Sequence, residues 1–300
     1  VHTEDSTTGH DGVRRRTIII GAAAGLVTAA ASAAAPAIAA PTYSPIPKLP
    51  YEVSRLDTQV TSIGKKKYEA IDVVYAGDRL RLFVPHASPP KASVGVLWYY
   101  HSNGSDYTSL TNVYKWSAMM AVDAGAVCIC ANYGGSLWTS QPSLTAQASA
   151  TKYMSNVWRI AVSFMRANSG GGPLMSYAYG TRMVPAVRGM YLASAAYDME
   201  DLYDRDPVRI PPVYGYNRDL AVATNPARLP QSSWAGTRIR TVVSMSDPLV
   251  PPLQHTLALV EKAKPVARET SVEYHDGGHR VPDWTSTDMI QTFRRWLAEG

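Results

Sequence analysis

The stretch VGVLWYY (94–100) carries no charged side chain over seven residues. A strand with one wet face alternates apolar and polar residues, whereas a strand covered on both faces, as in a parallel sheet, reads as a continuous apolar run. AVCICANY (126–133), GMYLAS (189–194) and TVVSMSD (241–247) repeat the signal. Between the first two, Tyr107–Asp123 has helical spacing through Leu110, Val113, Met119 and Met120. Alternation of such runs with helical stretches predicts an α/β fold: a mostly parallel central sheet with helices on both faces. The same reading takes residues 143–168 as one long amphipathic helix, with Met154, Trp158, Val162 and Met165 along one face. That helix ends at the loop Ser169-Gly170-Gly171-Gly172, and PLMSYAYG (173–180) is the next strand, running into a tight turn.

Ahead of the parallel core, the alternating runs Thr58–Ile63 and Lys67–Val73, joined through Gly64, and then Arg79–Val84 predict antiparallel strands at a sheet edge. Residues 40–50 are proline-rich and read as a tether, so the folded domain is expected over 51–300. From Ala195 to Trp234 the strand–helix rhythm lapses, and a lid-like insertion is expected there. Tyr197, Tyr203, Tyr214 and Tyr216 give this insertion an aromatic character.

With 46% hydrophobic and 18% charged residues in 300, the chain has the composition of a packed globular protein. Its net charge of +5 is dispersed, and the basic runs are Arg14-Arg15-Arg16 and Lys65-Lys66-Lys67. The first belongs to a targeting signal and the second to a hairpin tip, so no nucleic-acid partner is expected. Residues 13–40 combine an arginine-rich start, an Ala- and Gly-diluted apolar stretch and the small-x-small sequence Ala37-Ile38-Ala39. That pattern predicts a cleaved export signal over 1–39. Arg15-Arg16 before Thr17-Ile18-Ile19 resembles the twin-arginine type, which implies a secreted bacterial protein with no stable membrane anchor after cleavage. Cys128 and Cys130 fall on one face of a strand, poorly placed to bridge each other, and read as buried apolar fillers.

In an open parallel sheet the binding crevice lies at the carboxyl ends of the strands. After VGVLWYY stands the polar turn His101-Ser102-Asn103-Gly104-Ser105, whose backbone N–H groups suit an oxyanion. After TVVSM stands Asp247, followed by Pro248, Pro251 and Pro252. After the final strand, DGGH places His279 behind a Gly-Gly turn. A carboxylate that orients a histidine through one ring nitrogen leaves the other free to accept a proton. Asp198, also behind a strand, is an alternative acid; His275 reads as packing or surface, and His101 as a fixed part of its turn. No metal-ligand spacing or Gly-rich phosphate loop is present, so no metal or cofactor is expected.

HSNG (101–104), SDPLVPP (246–252) and DGGH (276–279), in that order, resemble the oxyanion, acid and histidine loops of the α/β-hydrolase family. Val122–Gly125 and Asn132–Ser136 are similar to it as well. The resemblance covers most of the chain and implies an exported esterase- or lipase-type hydrolase acting on a small-molecule, lipid or polymer ester. Aligning the family's G-x-S-x-G elbow with Ser176-Tyr177-Ala178-Tyr179-Gly180 puts Ala178 at the nucleophile position, with Tyr179 supplying an oxyanion donor beside Ser102, Asn103 and Gly104. A shifted frame makes Ser176 the nucleophile but sets Leu174 where a small residue is required. Only Thr181–Ala186 then remain for the helix that should follow the elbow. The implied protein is a hydrolase with a vacant nucleophile position. The alternatives are a ligand-binding pseudoenzyme and His–Asp base catalysis without a covalent step.

Overall fold

The computed structural model describes residues 44–135 and 138–300. The export signal expected over 1–39 lies outside them, and the described residues belong to the unit Tyr43–Gly300. Ten strands make one sheet: β1 (Glu52–Arg55), β2 (Gln59–Val60), β3 (Lys67–Tyr75), β4 (Asp78–Pro85), β5 (Ser93–Tyr100), β6 (Val127–Ala131), β7 (Arg159–Asn168), β8 (Val187–Ala193), β9 (Arg238–Val243) and β10 (Glu269–Tyr274). The spatial order is β1-β3-β4-β6-β5-β7-β8-β9-β10, with β2 paired to β3. β1 to β4 are antiparallel, and β4 meets β6 antiparallel. From β6 through β10 every pairing is parallel.

The apolar runs dictate this arrangement. Along β5, Val94, Val96, Trp98 and Tyr100 enter one core, while Leu97 and Tyr99 enter the other. Both faces therefore need cover. One is packed by α2 (Gln141–Val157), α3 (Gly172–Gly180) and α6 (Thr256–Ala263), the other by α1 (Lys115–Asp123) and α7 (Thr285–Ala298). Trp98, Trp158, Trp234 and Trp296 are all fully buried. Each removes about 200 Å² from water, a gross gain of roughly 5 kcal/mol before ordering costs. Cys128 and Cys130 are buried free thiols whose pKa values burial pushes up, consistent with an apolar filling role.

Three expectations are corrected. The long helix over 143–168 stops at Val157, and β7 begins at Arg159. Met154, Trp158, Val162 and Met165 fit a helical stripe by spacing. Pairing with β5 from Ser93↔Arg159 to Tyr100↔Ala167 instead extends the chain, sending Met165 to one face and Phe164 to the other. PLMSYAYG is not a strand but α3, with Pro173 in its first turn and Leu174, Met175, Ser176, Ala178 and Tyr179 all buried. A short, uniformly apolar run is compatible with either state, and burial on all sides chose the helix. Residues 44–50 pack rather than tether: Ile46 and Leu49 sit in the core, and the Arg55 guanidinium donates to the carbonyls of Ile46 and Pro47.

The insertion between β8 and β9 carries α4 (Met199–Arg205) and α5 (Arg218–Ala223) with several single turns. Its aromatic character is mostly internal. Tyr197 and Tyr214 are buried, and their hydroxyls contact Pro226 O and the Thr139 backbone N–H. Tyr216 is exposed. Among the described residues no helix is long and apolar enough to cross a membrane.

Candidate active site

β7 ends at Asn168, and the chain turns sharply at Ser169 with φ +46°. That left-handed conformation is strained for any residue but glycine and persists only where the surroundings enforce it. Here they do. A Cβ on Gly171 would stand 2.4 Å from Tyr100 O, and one on Gly172 would stand 2.1 Å from Ala196 O. A Cβ on Gly170 would come within 3.0 Å of the Asn103 amide nitrogen. The three glycines thus let the ends of β5, β7 and β8 converge on the turn. The Ala196 N–H donates to Ser169 O at 3.0 Å, and Ser102 Oγ donates to Asn168 O at 3.4 Å. α3 starts directly behind the turn, so its N-terminal end faces it.

The loop after β10 brings His279 to the same point. Two contacts bracket it: the Gly278 N–H donates to Ser244 Oγ at 3.1 Å, and Ser194 Oγ donates to Arg280 O at 2.5 Å. His279 Nδ1 lies 2.8 Å from Asp247 Oδ2, and Nε2 lies 2.9 Å from Ser169 Oγ. Asp247 is buried behind the ring, and its Oδ1 accepts the N–H groups of Leu249 and Val250, both at 2.9 Å. With Oδ1 so occupied, Oδ2 is left to receive Nδ1–H. That tautomer turns the Nε2 lone pair toward the serine hydroxyl.

Ser169 and His279 open onto a cleft of about 440 Å³, with Asp247 buried behind the ring. Asn103, Gly170 and Trp138 line it near Ser169; Leu202, Arg205, Asp206 and Arg209 of the insertion form one wall, and Pro248, Leu249 and Val250 another. Among the described residues no group of three or more His, Cys, Asp or Glu could hold a metal ion.

Asp247 and His279, proposed from sequence, are brought together. Ala178 and Ser176 are not at the site: both are fully buried inside α3, and Ser176 Oγ has no hydrogen-bond partner among the described residues. Tyr179 is also buried within α3 and does not line the cleft, so its backbone N–H is not an oxyanion donor there; its hydroxyl accepts the Arg238 N–H at 3.3 Å. Asp198 is no partner of His279. It caps α4, accepting the N–H groups of Glu200 and Asp201 and the Asn225 side chain. Of the polar turn, Asn103 lines the cleft, Ser102 ties the turn to β7, and Gly104 sits at the exposed tip with φ +76°. His101 is fully buried between Ser102 O and Asn132 O, and burial pushes its pKa down. His275 accepts the Gly277 N–H and shapes the turn before His279.

No protein-family model and no curated protein sequence matches this chain. Solved structures match its shape. An esterase of Pyrococcus furiosus superposes with a TM-score of 0.57 at 11% identity, over 83% of this chain and 99% of that one. A truncated carbohydrate esterase from gut microbiota gives 0.56 at 12%, over 84% and 99%. A bifunctional GH43-CE protein of Bacteroides eggerthii gives 0.57 at 15%, over 73% of this chain but only 36% of that one. The chain has the α/β-hydrolase fold. In that fold the nucleophile elbow joins a strand to a helix and needs small residues two before and two after its apex. Ala167-Asn168-Ser169-Gly170-Gly171 meets the requirement, with alanine where the first glycine usually stands. The signal for Ser169 was therefore in the sequence. A helical reading of residues 143–168 hides it and puts the elbow nine residues further on, within α3. The Thr181–Ala186 segment, which looked like a truncated elbow helix, is the connection from α3 to β8.

Proposed function

We propose that this protein is a serine hydrolase of carboxylic esters, with Ser169 as nucleophile, His279 as general base and acid, and Asp247 as the group that orients His279. The observation that carries the reading is the continuous contact from Asp247 Oδ2 through the His279 ring to Ser169 Oγ, at 2.8 and 2.9 Å. As Ser169 Oγ attacks the ester carbonyl carbon, its proton passes to Nε2, while Asp247 stabilises the imidazolium. The carbonyl oxygen gains negative charge and is met by the backbone N–H groups of Gly170 and Asn103, with the N-terminal end of α3 behind them. When the carbon–oxygen bond breaks, Nε2 returns the proton to the leaving alcohol. Water, deprotonated by the same nitrogen, then cleaves the acyl-serine.

A serine on Nε2 favours this covalent route over direct base catalysis. The pseudoenzyme alternative depended on Ala178 standing at the elbow. The three compared proteins include an esterase and a carbohydrate esterase by name, which supports an ester substrate class. The N-terminal signal pattern supports action outside the cell. The test is hydrolysis of 4-nitrophenyl acetate and butyrate together with labelling by a fluorophosphonate. Turnover and labelling that both vanish in Ser169→Ala are expected; labelling retained in that variant would refute the assignment.

A further inference from the structure

The insertion wall of the cleft carries two guanidinium groups, and one is anchored from the protein core. His255 is fully buried, and its Nδ1 accepts the backbone N–H groups of both Tyr197 and Asp198 at 3.1 Å. Two donors aimed at Nδ1 leave the ring proton on Nε2, which stands at ion-pair distance, 3.1 Å, from Asp201 Oδ2 without the alignment of a hydrogen bond. The Asp201 carboxylate in turn takes Nε and Nη2 of Arg205, both at 2.9 Å. His255, and then Arg205, hold this carboxyl well below the usual carboxylate range. Arg205 Nη1 has no partner among the described residues.

Four residues on, in the turn that follows α4, the Arg209 guanidinium bonds Asp206 through Nε only, so both of its terminal nitrogens are uncommitted among the described residues. A solvent-exposed ion pair needs no core support and contributes little. A buried histidine that fixes an arginine through a carboxylate, at the rim of a cleft ending in Ser169, is better explained by a charge that must be presented. On that lining Arg205 and Arg209 each keep terminal nitrogen free among the described residues, beyond the nitrogens bonded to Asp201 and Asp206.

We propose that the cleft selects esters bearing an anionic oxygen group, a carboxylate in the first instance, at the end remote from the scissile carbonyl. Arg205 and Arg209 receive that group, and Leu202 and Leu249 cover the carbons between. The inference rests on the hydrolase reading for its ester, but the anion site is testable apart from it. The experiment compares mono-4-nitrophenyl glutarate with 4-nitrophenyl butyrate in the full chain. The kcat/KM ratio of the charged to the neutral ester is expected to exceed one. It should fall by about tenfold or more in Arg205→Gln and in Arg209→Gln, the scale of a hydrogen bond to a charged group. Arg209→Lys should keep part of the preference. Arg205 and Arg209 have side chains 39% and 61% exposed, so glutamine at either position leaves the core intact.

Calorimetric binding of monobutyl glutarate and of its neutral methyl ester to Ser169→Ala gives the second readout. The monoester should bind about tenfold more tightly, and the difference should vanish in the added Arg205→Gln/Arg209→Gln pair. Equal affinities, no binding of either compound, or a kcat/KM ratio unmoved in the double variant would overturn the proposal. Anion preference in binding without any ester turnover would instead remove the hydrolase reading and leave the cationic site standing.

Discussion

Gly171→Ala isolates the packing that creates the elbow. The added methyl carbon would start 2.4 Å from Tyr100 O and 2.8 Å from His101 O, against the 3.0 Å below which real Cβ contacts essentially never fall. Relief by moving Tyr100 O is opposed, because it accepts the Tyr114 hydroxyl at 2.6 Å in the core. Relief by a rotamer change is impossible, since the clash is with backbone. The elbow must therefore shift from β5 by about 0.6 Å, the gap between 2.4 and 3.0 Å. Overpacking of this kind costs about 1–3 kcal/mol, or roughly 2–10 °C in Tm for a domain of this size. The same shift separates Ser169 from His279 and Gly170 from Asn103, and misplacement approaching 1 Å lowers turnover about 100-fold. The assay pairs thermal unfolding with kcat/KM for 4-nitrophenyl butyrate. A variant that keeps its Tm within about 1 °C and its kcat/KM within about twofold would show that the glycine does not set the elbow.

Asp247→Asn should lower kcat by about 10³–10⁴-fold with little change in far-UV circular dichroism, because the wrong tautomer of His279 is then held against Ser169; a loss under tenfold would contradict the orienting role. Ala178→Ser should leave ester hydrolysis no higher than wild type and lower stability by about 1–3 kcal/mol, measured by denaturant unfolding, since it puts a hydroxyl into the apolar interior around α3. His101 adds a pH dependence: its folded pKa is depressed by burial, so its contribution is fully present above its ordinary value of about 6.5 and is lost as pH falls toward the folded pKa. His101→Gln should accordingly flatten the acid limb of a denaturant-midpoint curve between pH 7 and 5, and an unchanged limb would exclude that origin.

The class of fold and two of the three side chains in contact at the candidate site were legible as local pattern. VGVLWYY, AVCICANY and GMYLAS read as strands covered twice, because leaving one face of such a strand in water would expose continuous apolar surface. Asp247 and His279 declared themselves by standing behind strand-ending turns in hydrolase order. Tertiary structure alone decided where the strand before Ser169 begins. Val157–Asn168 satisfies a helical and an extended period about equally well, and only pairing with β5 and β8 makes the extended form the one that completes its hydrogen bonds. That choice moves the elbow to Ser169, turns PLMSYAYG into the helix behind it, and buries Ala178 and Ser176 away from the chemistry. The cleft wall was likewise beyond a linear reading. Whether a tyrosine or an arginine of the insertion faces Ser169 depends on which side chains the core absorbs, and it absorbed Tyr197 and Tyr214 while His255 and Asp201 held Arg205 outward.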